Sequence, residues 1–160
     1  MTSKVFLALR VPADPMRTFD VFTQEIALWW QPSGLFQVSR AGDGRLAFDP
    51  GPGGRLFTTF EDGSTFEIGR VSVWEPGKRL VFGWRQATFT KEQNTQVEVR
   101  FEPVGENETR VTVEHRGWDS IPRSHVARHT MSNLVFLQRH GAWWRRLLEA
   151  MAARRCQAQQ

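Results

Sequence analysis

The sequence predicts an α+β fold in which a curved antiparallel sheet of about six or seven strands wraps around a long C-terminal helix. Two observations predict this fold. Turn-forming residues recur at hairpin intervals through the middle of the chain, and apolar residues near its C-terminus recur at three- and four-residue spacing. Because the helix has a broad apolar face, it needs a broad apolar partner, which a sheet with one apolar face supplies.

The composition is that of one compact domain, expected over residues 1–160 with its core at about residues 4–152. The net charge of +4 is spread along the chain, so we expect no nucleic-acid partner. Cys156 is the single cysteine, which excludes a disulfide framework and favours a reducing compartment. No apolar run reaches the roughly 20 residues of a membrane span, and no signal sequence is recognised, so the predicted location is cytoplasmic.

The first elements are a strand at residues 4–11 and a helical segment after it. Asp14 is a good N-cap and Pro15 suits the first helical position. Two short helices, or one bent helix, are predicted from the apolar stripe that runs to Trp29 and Trp30. The stripe consists of Met16, Phe19, Phe22 and Ile26.

The sheet resumes near Arg45, and turn signals then separate five strands. Asp62-Gly63 is the clearest signal and predicts a tight two-residue turn, since glycine tolerates a positive φ. Residues 96–102 alternate between apolar and charged side chains, so one face of the sheet is expected to contact water. The turn signals lie at Gly51–Gly54, Asp62–Gly63, Pro76–Gly77, Thr90–Thr95 and Gly105–Asn107.

The last element is a long amphipathic helix, which follows Trp118 and an irregular segment that contains Pro122. Its main apolar row is Leu134, Leu137, Gly141, Trp144, Leu148 and Met151. A second row widens this face and consists of Phe136, His140, Trp143 and Leu147.

The aromatic residues are the unusual part of the composition, with seven Trp, twelve Phe and no Tyr. Rings without a hydroxyl suit apolar walls better than proton transfer. They either fill the core or line a cavity, and both interpretations stay open at the level of sequence. The candidate cavity-lining residues are Trp30, Phe82, Trp84, Val99, Val113, His115, Trp118, His140, Trp143 and Trp144.

His115 is the most informative polar candidate, because it shares a strand face with Val111 and Val113 and therefore points inward. It either is held by a backbone group or water, or contacts a ligand. Glu114 alternates to the opposite face, and Glu98 lies among outward charges, so no acid is paired with His115. We therefore assign no catalytic residue.

A metal site is not predicted either. His125 and His129 are four residues apart and would share one side of a helix, but zinc takes three or four ligands. Pro52–Arg55 lacks the Gly-Lys-Ser/Thr ending of a phosphate-binding loop and precedes a strand, so it is interpreted as a turn. We expect no cofactor.

Five motifs occur in a fixed order, and with the long helix they resemble the bacterial "activator of heat-shock protein 90 ATPase homologue" branch of the START-like superfamily. The resemblance implies the helix-grip fold, with a hydrophobic cavity between the sheet and the C-terminal helix. Relatives in that superfamily bind lipids, hormones or polyketides. The motifs are Trp29–Pro32, Pro52–Arg55, Gly69–Pro76, Arg79–Trp84 and Glu114–Trp118.

The leading hypothesis is therefore a non-enzymatic protein whose partner is a small apolar or amphipathic molecule, with a homodimer left open. One alternative is an enzyme of the cyclase or hydratase kind that uses the same cavity. The other is a co-chaperone of heat-shock protein 90. The resemblance implies that such co-chaperones carry a separate N-terminal docking domain, to which none of these 160 residues corresponds.

Overall fold

The computed structural model describes residues 4–30, 44–84, 95–117 and 133–158, with the side chains of the last helix described from Gln138 to Ala153. Seven strands and three helices occur in these ranges, which confirms the α+β class. In chain order they are β1 (Lys4–Val11), α1 (Pro15–Gln24), α2 (Ile26–Trp29), β2 (Arg45–Phe48), β3 (Arg55–Thr59), β4 (Thr65–Glu75), β5 (Arg79–Trp84), β6 (Thr95–Gly105), β7 (Glu108–Arg116) and α3 (Asn133–Ala158).

The seven strands form one curled antiparallel sheet in the order β1-β7-β6-β5-β4-β3-β2. Strand β1 therefore pairs with β7, the last strand among the described residues, and Val5 lies opposite His115. Helix α3 lies against β1, α1 and α2, and the curled sheet with its long C-terminal helix confirms the predicted fold. None of the described helices combines the length and the apolar character needed to cross a membrane.

The curvature has local causes in β4 and its neighbours. The pairing of β4 shifts register against β3 at Leu56 and Phe57, and again against β5 between Val71 and Val73. Such irregularities bend a strand and increase its twist. A Cβ atom at Gly69 would overlap the backbone carbonyl of Gly83, so β4 and β5 approach each other closely there only because residue 69 has no side chain.

Helix α1 begins as the sequence predicts. The side chain of Asp14 accepts a hydrogen bond of 2.7 Å from the backbone N–H of Arg17, and Pro15 is the first helical residue. Three members of the predicted apolar stripe are buried: Phe19, Phe22 and Ile26. The prediction was wrong for Met16, which is 52% exposed, because its thioether lies at the surface beside Gly77 instead of in the core.

The hairpin between β3 and β4 has a three-residue loop, so the predicted two-residue turn was wrong by one residue. The N–H of Phe60 donates to the carbonyl of Ser64, and the N–H of Gly63 donates to the carbonyl of Phe60, both at 2.9 Å. Gly63 adopts φ +86°, the left-handed conformation that completes this loop type.

Replacing Gly63 with valine should lower the free energy of unfolding by about 1–2 kcal/mol, because a β-branched residue is penalised at positive φ. No atom lies within 4 Å of a Cβ built at this position, so the cost comes from the backbone and not from a clash. Thermal unfolding compared with Glu61→Val, in the same exposed loop, provides the measurement. Equal melting temperatures for the two variants would contradict the assignment.

The outer face of the sheet carries a nearly buried carboxylate. Glu98 is only 4% exposed and accepts hydrogen bonds from Arg79 and Arg100 at Oε2 and from Arg116 at Oε1, at 2.8, 2.9 and 2.9 Å. Burial by itself raises the pKa of Glu98, but the hydrogen bonds from the three guanidinium groups outweigh it and lower the pKa to about 2. The outward position predicted for Glu98 is confirmed.

The inner face of the sheet and the facing side of α3 form the core. The alternation in β6 and β7 buries Val97, Val99, Phe101, Val111 and Val113, as predicted. Among the described side chains of α3, the buried positions belong to both predicted rows, which confirms a wide apolar face over this part of the helix, whereas the side chains of Leu134, Phe136 and Leu137 lie outside the described residues. The buried positions are His140, Trp143, Trp144, Leu147, Leu148 and Met151.

Candidate functional site

His115 lies on the inner face of β7, fully buried, between Val5 of β1 and Val97 of β6 in the strand register. Two inward valines precede it on the same strand, at positions 111 and 113. Its place follows from the period of two along a strand, so the predicted inward orientation is confirmed.

Both ring nitrogens of His115 take part in hydrogen bonds. The hydroxyl of Thr95 lies 2.8 Å from His115 Nε2 and donates its one hydrogen to the carbonyl of Trp84, also at 2.8 Å. The hydroxyl must therefore accept a hydrogen bond from His115 Nε2–H. His115 Nδ1 is then an acceptor, and the indole N–H of Trp144 donates to it at 3.2 Å.

His140 extends this network from helix α3. Its Nε2 lies 3.0 Å from His115 Nδ1, and since that nitrogen is an acceptor, His140 is the donor. Burial lowers the pKa of His115 well below its usual value, with a smaller contribution from His140. Burial also lowers the pKa of His140 to about 3. Both imidazoles are consequently neutral near pH 7.

This His115–His140 pair has limited chemical capacity. A neutral imidazole donates and accepts hydrogen bonds, and here the strand, the helix and Thr95 fix its orientation. A base works best when its pKa lies near the working pH, and the pKa of His140 lies far below it. The pair is therefore better suited to orienting a ligand than to removing a proton.

A cluster of tryptophans adjoins the histidine pair. Trp84 of β5 and Trp143 and Trp144 of α3 pack around Trp30, with ring centroids 5.4, 5.4 and 6.1 Å from it. Trp84 and Trp144 also contact the ring of His115, at 6.1 and 6.0 Å. We call these four indoles the tryptophan cluster. It connects the sheet, the end of α2 and the long helix.

The members of the tryptophan cluster differ in exposure and in hydrogen bonding. Trp84, Trp143 and Trp144 are buried, whereas Trp30 is partly exposed. The N–H of Trp144 is bound to His115, as described above. The buried N–H of Trp84 has no hydrogen-bond partner among the residues that the structure describes.

The structure brings together six of the predicted lining residues, namely Trp30, Trp84, His115, His140, Trp143 and Trp144. Val99 and Val113 are buried opposite each other on β6 and β7. Phe82 contacts Phe48 at 5.2 Å, in a second aromatic group nearer the short helices. Trp118, His125 and His129 lie outside the described residues, so their predicted roles stay predictions.

Thr95 was missed from the sequence, although it fixes the tautomer of His115. The polar stretch before it indicates a turn, which hides that Thr95 is the first residue of β6. The missed signal was the alternation itself. Extending the inward series of Phe101, Val99 and Val97 by one step back along the strand reaches Thr95, which pairs with Trp84.

Solved structures with the same fold cover nearly the whole chain. Protein MLL2253 from Mesorhizobium loti is 18% identical, with a TM-score of 0.64 and 94% of each chain covered. PFC0360w, an HSP90 activator from Plasmodium falciparum, is 17% identical, with a TM-score of 0.65 and 94% of each chain covered. At these identities the likeness shows the fold alone.

Txn09, an anthrahydroquino-γ-pyrone synthase solved in complex with a ligand, is more similar in sequence. It is 32% identical, with a TM-score of 0.50 and 83% of each chain covered. No curated protein matches the chain. The family model described as "Activator of Hsp90 ATPase homolog 1-like protein" matches residues 12–153. The resemblance noted in the motifs is thereby confirmed, and the chain belongs to this family.

Proposed function

We propose that this protein binds a small hydrophobic or amphipathic molecule between the sheet and the C-terminal helix, against the tryptophan cluster. The observation that carries the proposal is the continuity of the cluster. Ring contacts lead from the partly exposed Trp30 through Trp84 to the buried His115–His140 pair. No charged side chain takes part in these contacts. An apolar surface with a few polar groups at its inner end is typical of a small-molecule site.

The relative Txn09 supports the same class of ligand. Its name describes a synthase of an anthrahydroquino-γ-pyrone, which is a flat polycyclic compound, and its sequence is 32% identical to this chain over 83% of each chain. Flat aromatic molecules pack well against indole rings, in edge-to-face or offset arrangements. We therefore propose that the ligand is a planar aromatic molecule rather than a flexible acyl chain.

Binding should be measurable by intrinsic fluorescence, because a ligand that reaches the site contacts one or more indoles and displaces water from Trp30. We expect anilinonaphthalene sulfonate to change tryptophan fluorescence in a saturable way. Replacing Trp30 with alanine should weaken this binding about two- to tenfold, since it removes an aromatic contact worth roughly 0.5–1.5 kcal/mol.

A matched control separates this site from exposed apolar surface. Phe6 is 62% exposed and lies in β1 of the same sheet, on the outer face. Phe6→Ala should leave the affinity unchanged. If Phe6→Ala weakens binding and Trp30→Ala does not, the dye binds the outer face and the proposed site is wrong.

An enzyme of the cyclase kind is the second candidate, favoured by the name of Txn09 and by the buried histidine pair. The low pKa of His140 argues for the binding role over base catalysis. The two candidates differ in one observable. An enzyme would convert an added aromatic polyketide into a new product. The His140→Phe variant of such an enzyme would lose this turnover but keep its affinity for the dye. The co-chaperone alternative has support only at the level of fold.

A further inference from the structure

We infer that the indole N–H of Trp84 donates a hydrogen bond to a carbonyl oxygen of the bound molecule, so that the site selects aromatic ketones and quinones over aromatic hydrocarbons of the same shape. This inference rests on the proposed binding function and specifies its ligand class. It assigns to Trp84 a role in specificity beyond that of an apolar wall.

The buried indoles differ in their hydrogen-bond partners. A buried N–H is normally hydrogen-bonded, because burial removes its hydrogen bonds to water and an unpaired donor gains none in exchange. Trp29 donates to the carbonyl of Val21 at 2.8 Å, and Trp144 donates to His115 Nδ1 at 3.2 Å. The N–H of Trp84 is as deeply buried as these and has no acceptor in the described part of the chain.

The two polar side chains described next to Trp84, those of His115 and Thr95, already have hydrogen-bond partners. His115, whose ring centroid lies 6.1 Å away, donates from Nε2 to Thr95 and accepts at Nδ1 from helix α3. The hydroxyl of Thr95 donates to the carbonyl of Trp84 itself. The network that fixes the histidine pair therefore satisfies its own donors without using the indole N–H of Trp84.

The position of Trp84 connects this donor to the proposed ligand site. Its ring lies at a 34° interplanar angle to that of Trp30, the partly exposed member of the cluster, with the centroids 5.4 Å apart. Trp143 is a second neighbour of Trp84, with its centroid 6.3 Å away. A flat ligand that packs on the cluster thus comes next to a donor in apolar surroundings, where a hydrogen bond to a carbonyl is strong.

The test uses two probes of the same shape, anthraquinone sulfonate and anthracene sulfonate, with the sulfonate at the same ring position. Their affinities are measured by fluorescence titration for the full chain and for Trp84→Phe, which keeps an aromatic ring but removes the N–H. We expect the variant to bind the quinone about tenfold more weakly, the usual effect of one lost hydrogen bond. Its affinity for the hydrocarbon should change less than twofold.

Trp29→Phe is the matched control, because the indole N–H of Trp29 is already bound to Val21. It should leave the ratio of the two affinities unchanged. If Trp84→Phe binds both probes with the same affinity ratio as the unaltered chain, the Trp84 N–H does not donate to the quinone. This inference is then overturned, while the proposed function stands. If the unaltered chain binds neither probe, the planar-ligand proposal fails first.

A second measurement covers the case in which Trp84→Phe does not fold. In the ¹⁵N-labelled unaltered protein, the indole ¹H–¹⁵N resonance of Trp84, assigned through its own backbone, should move downfield when the quinone is added and not when the hydrocarbon is added. The same shift with both probes, or no shift with either at saturation, would overturn the inference.

Discussion

Replacing Trp144 with alanine should lower the free energy of unfolding by about 3–5 kcal/mol, the range for truncating a large buried aromatic residue. The Trp144 side chain is fully buried and contacts the rings of Trp30, Trp143 and His115. Its removal leaves a cavity between the sheet and the helix. It also takes away the N–H that donates to His115 Nδ1. Chemical denaturation followed by circular dichroism provides the measurement.

Arg145→Ala is the control on the same helix. Arg145 is exposed, and an ordinary surface substitution changes stability by no more than about 0.5 kcal/mol. Similar losses for the two variants would mean that α3 presents a different face to the sheet.

Acidification from pH 7 to pH 5 should lower the free energy of unfolding by about 2 kcal/mol through His140 alone, and His115 should add to this loss. Burial holds the pKa of each imidazole below the ordinary value of 6.5. The unfolded chain therefore binds more protons than the folded chain below pH 6.5. Stability is complete above that pH and falls as the pH drops towards the folded-state pKa, which is about 3 for His140.

The pH window isolates the histidines from Glu98. The pKa of Glu98 is lowered from 4.5 to about 2, so its contribution to stability is lost mainly below pH 4.5. Urea denaturation at pH 7 and at pH 5 gives the two free energies. His140→Phe should reduce the difference between them by about 2 kcal/mol. An unaltered protein that is equally stable at both pH values would show that the pair is not buried in its neutral form.

The sequence predicted the direction of most inward side chains, because strand and helix periods are local properties. His115 follows from Val111 and Val113, and His140 follows from the second apolar row of the helix. Their contact could not be predicted, since it depends on where α3 lies along the sheet. Tertiary packing brings together residues 115 and 140, and then Thr95 and Trp84, and no spacing in the chain reports that geometry.

Two local features also escaped prediction. Met16 has the correct helical spacing for the core, but it lies in the first turn of α1, at the edge of the apolar stripe. Glu98 points outward as the alternation requires, yet it is nearly buried because the long side chains of Arg79, Arg100 and Arg116 cover it. Periodicity gives the face of a sheet, whereas exposure also depends on what the neighbouring strands place over that face.

The pairing of β1 with β7 has a consequence for synthesis of the chain. Residues 4–11 leave the ribosome before their partners at 109–116, which follow about a hundred residues later, as the pairing of Lys4 with Arg116 shows. Closing so long a loop costs conformational entropy before the contacts between β1 and β7 can offset it. Folds dominated by such long-range contacts form slowly.

During elongation β1 is therefore a strand without a neighbour, and it carries Val5, Leu7 and Val11, which are buried in the finished sheet. The hairpin of β6 and β7 needs only a two-residue connection between Gly105 and Glu108, so it forms as soon as both strands emerge. It then offers β7 as the edge onto which β1 docks. Strand β1 is therefore made well before β7 but pairs only after the β6–β7 hairpin has formed, and until then its apolar residues are exposed to chaperones and to other nascent chains.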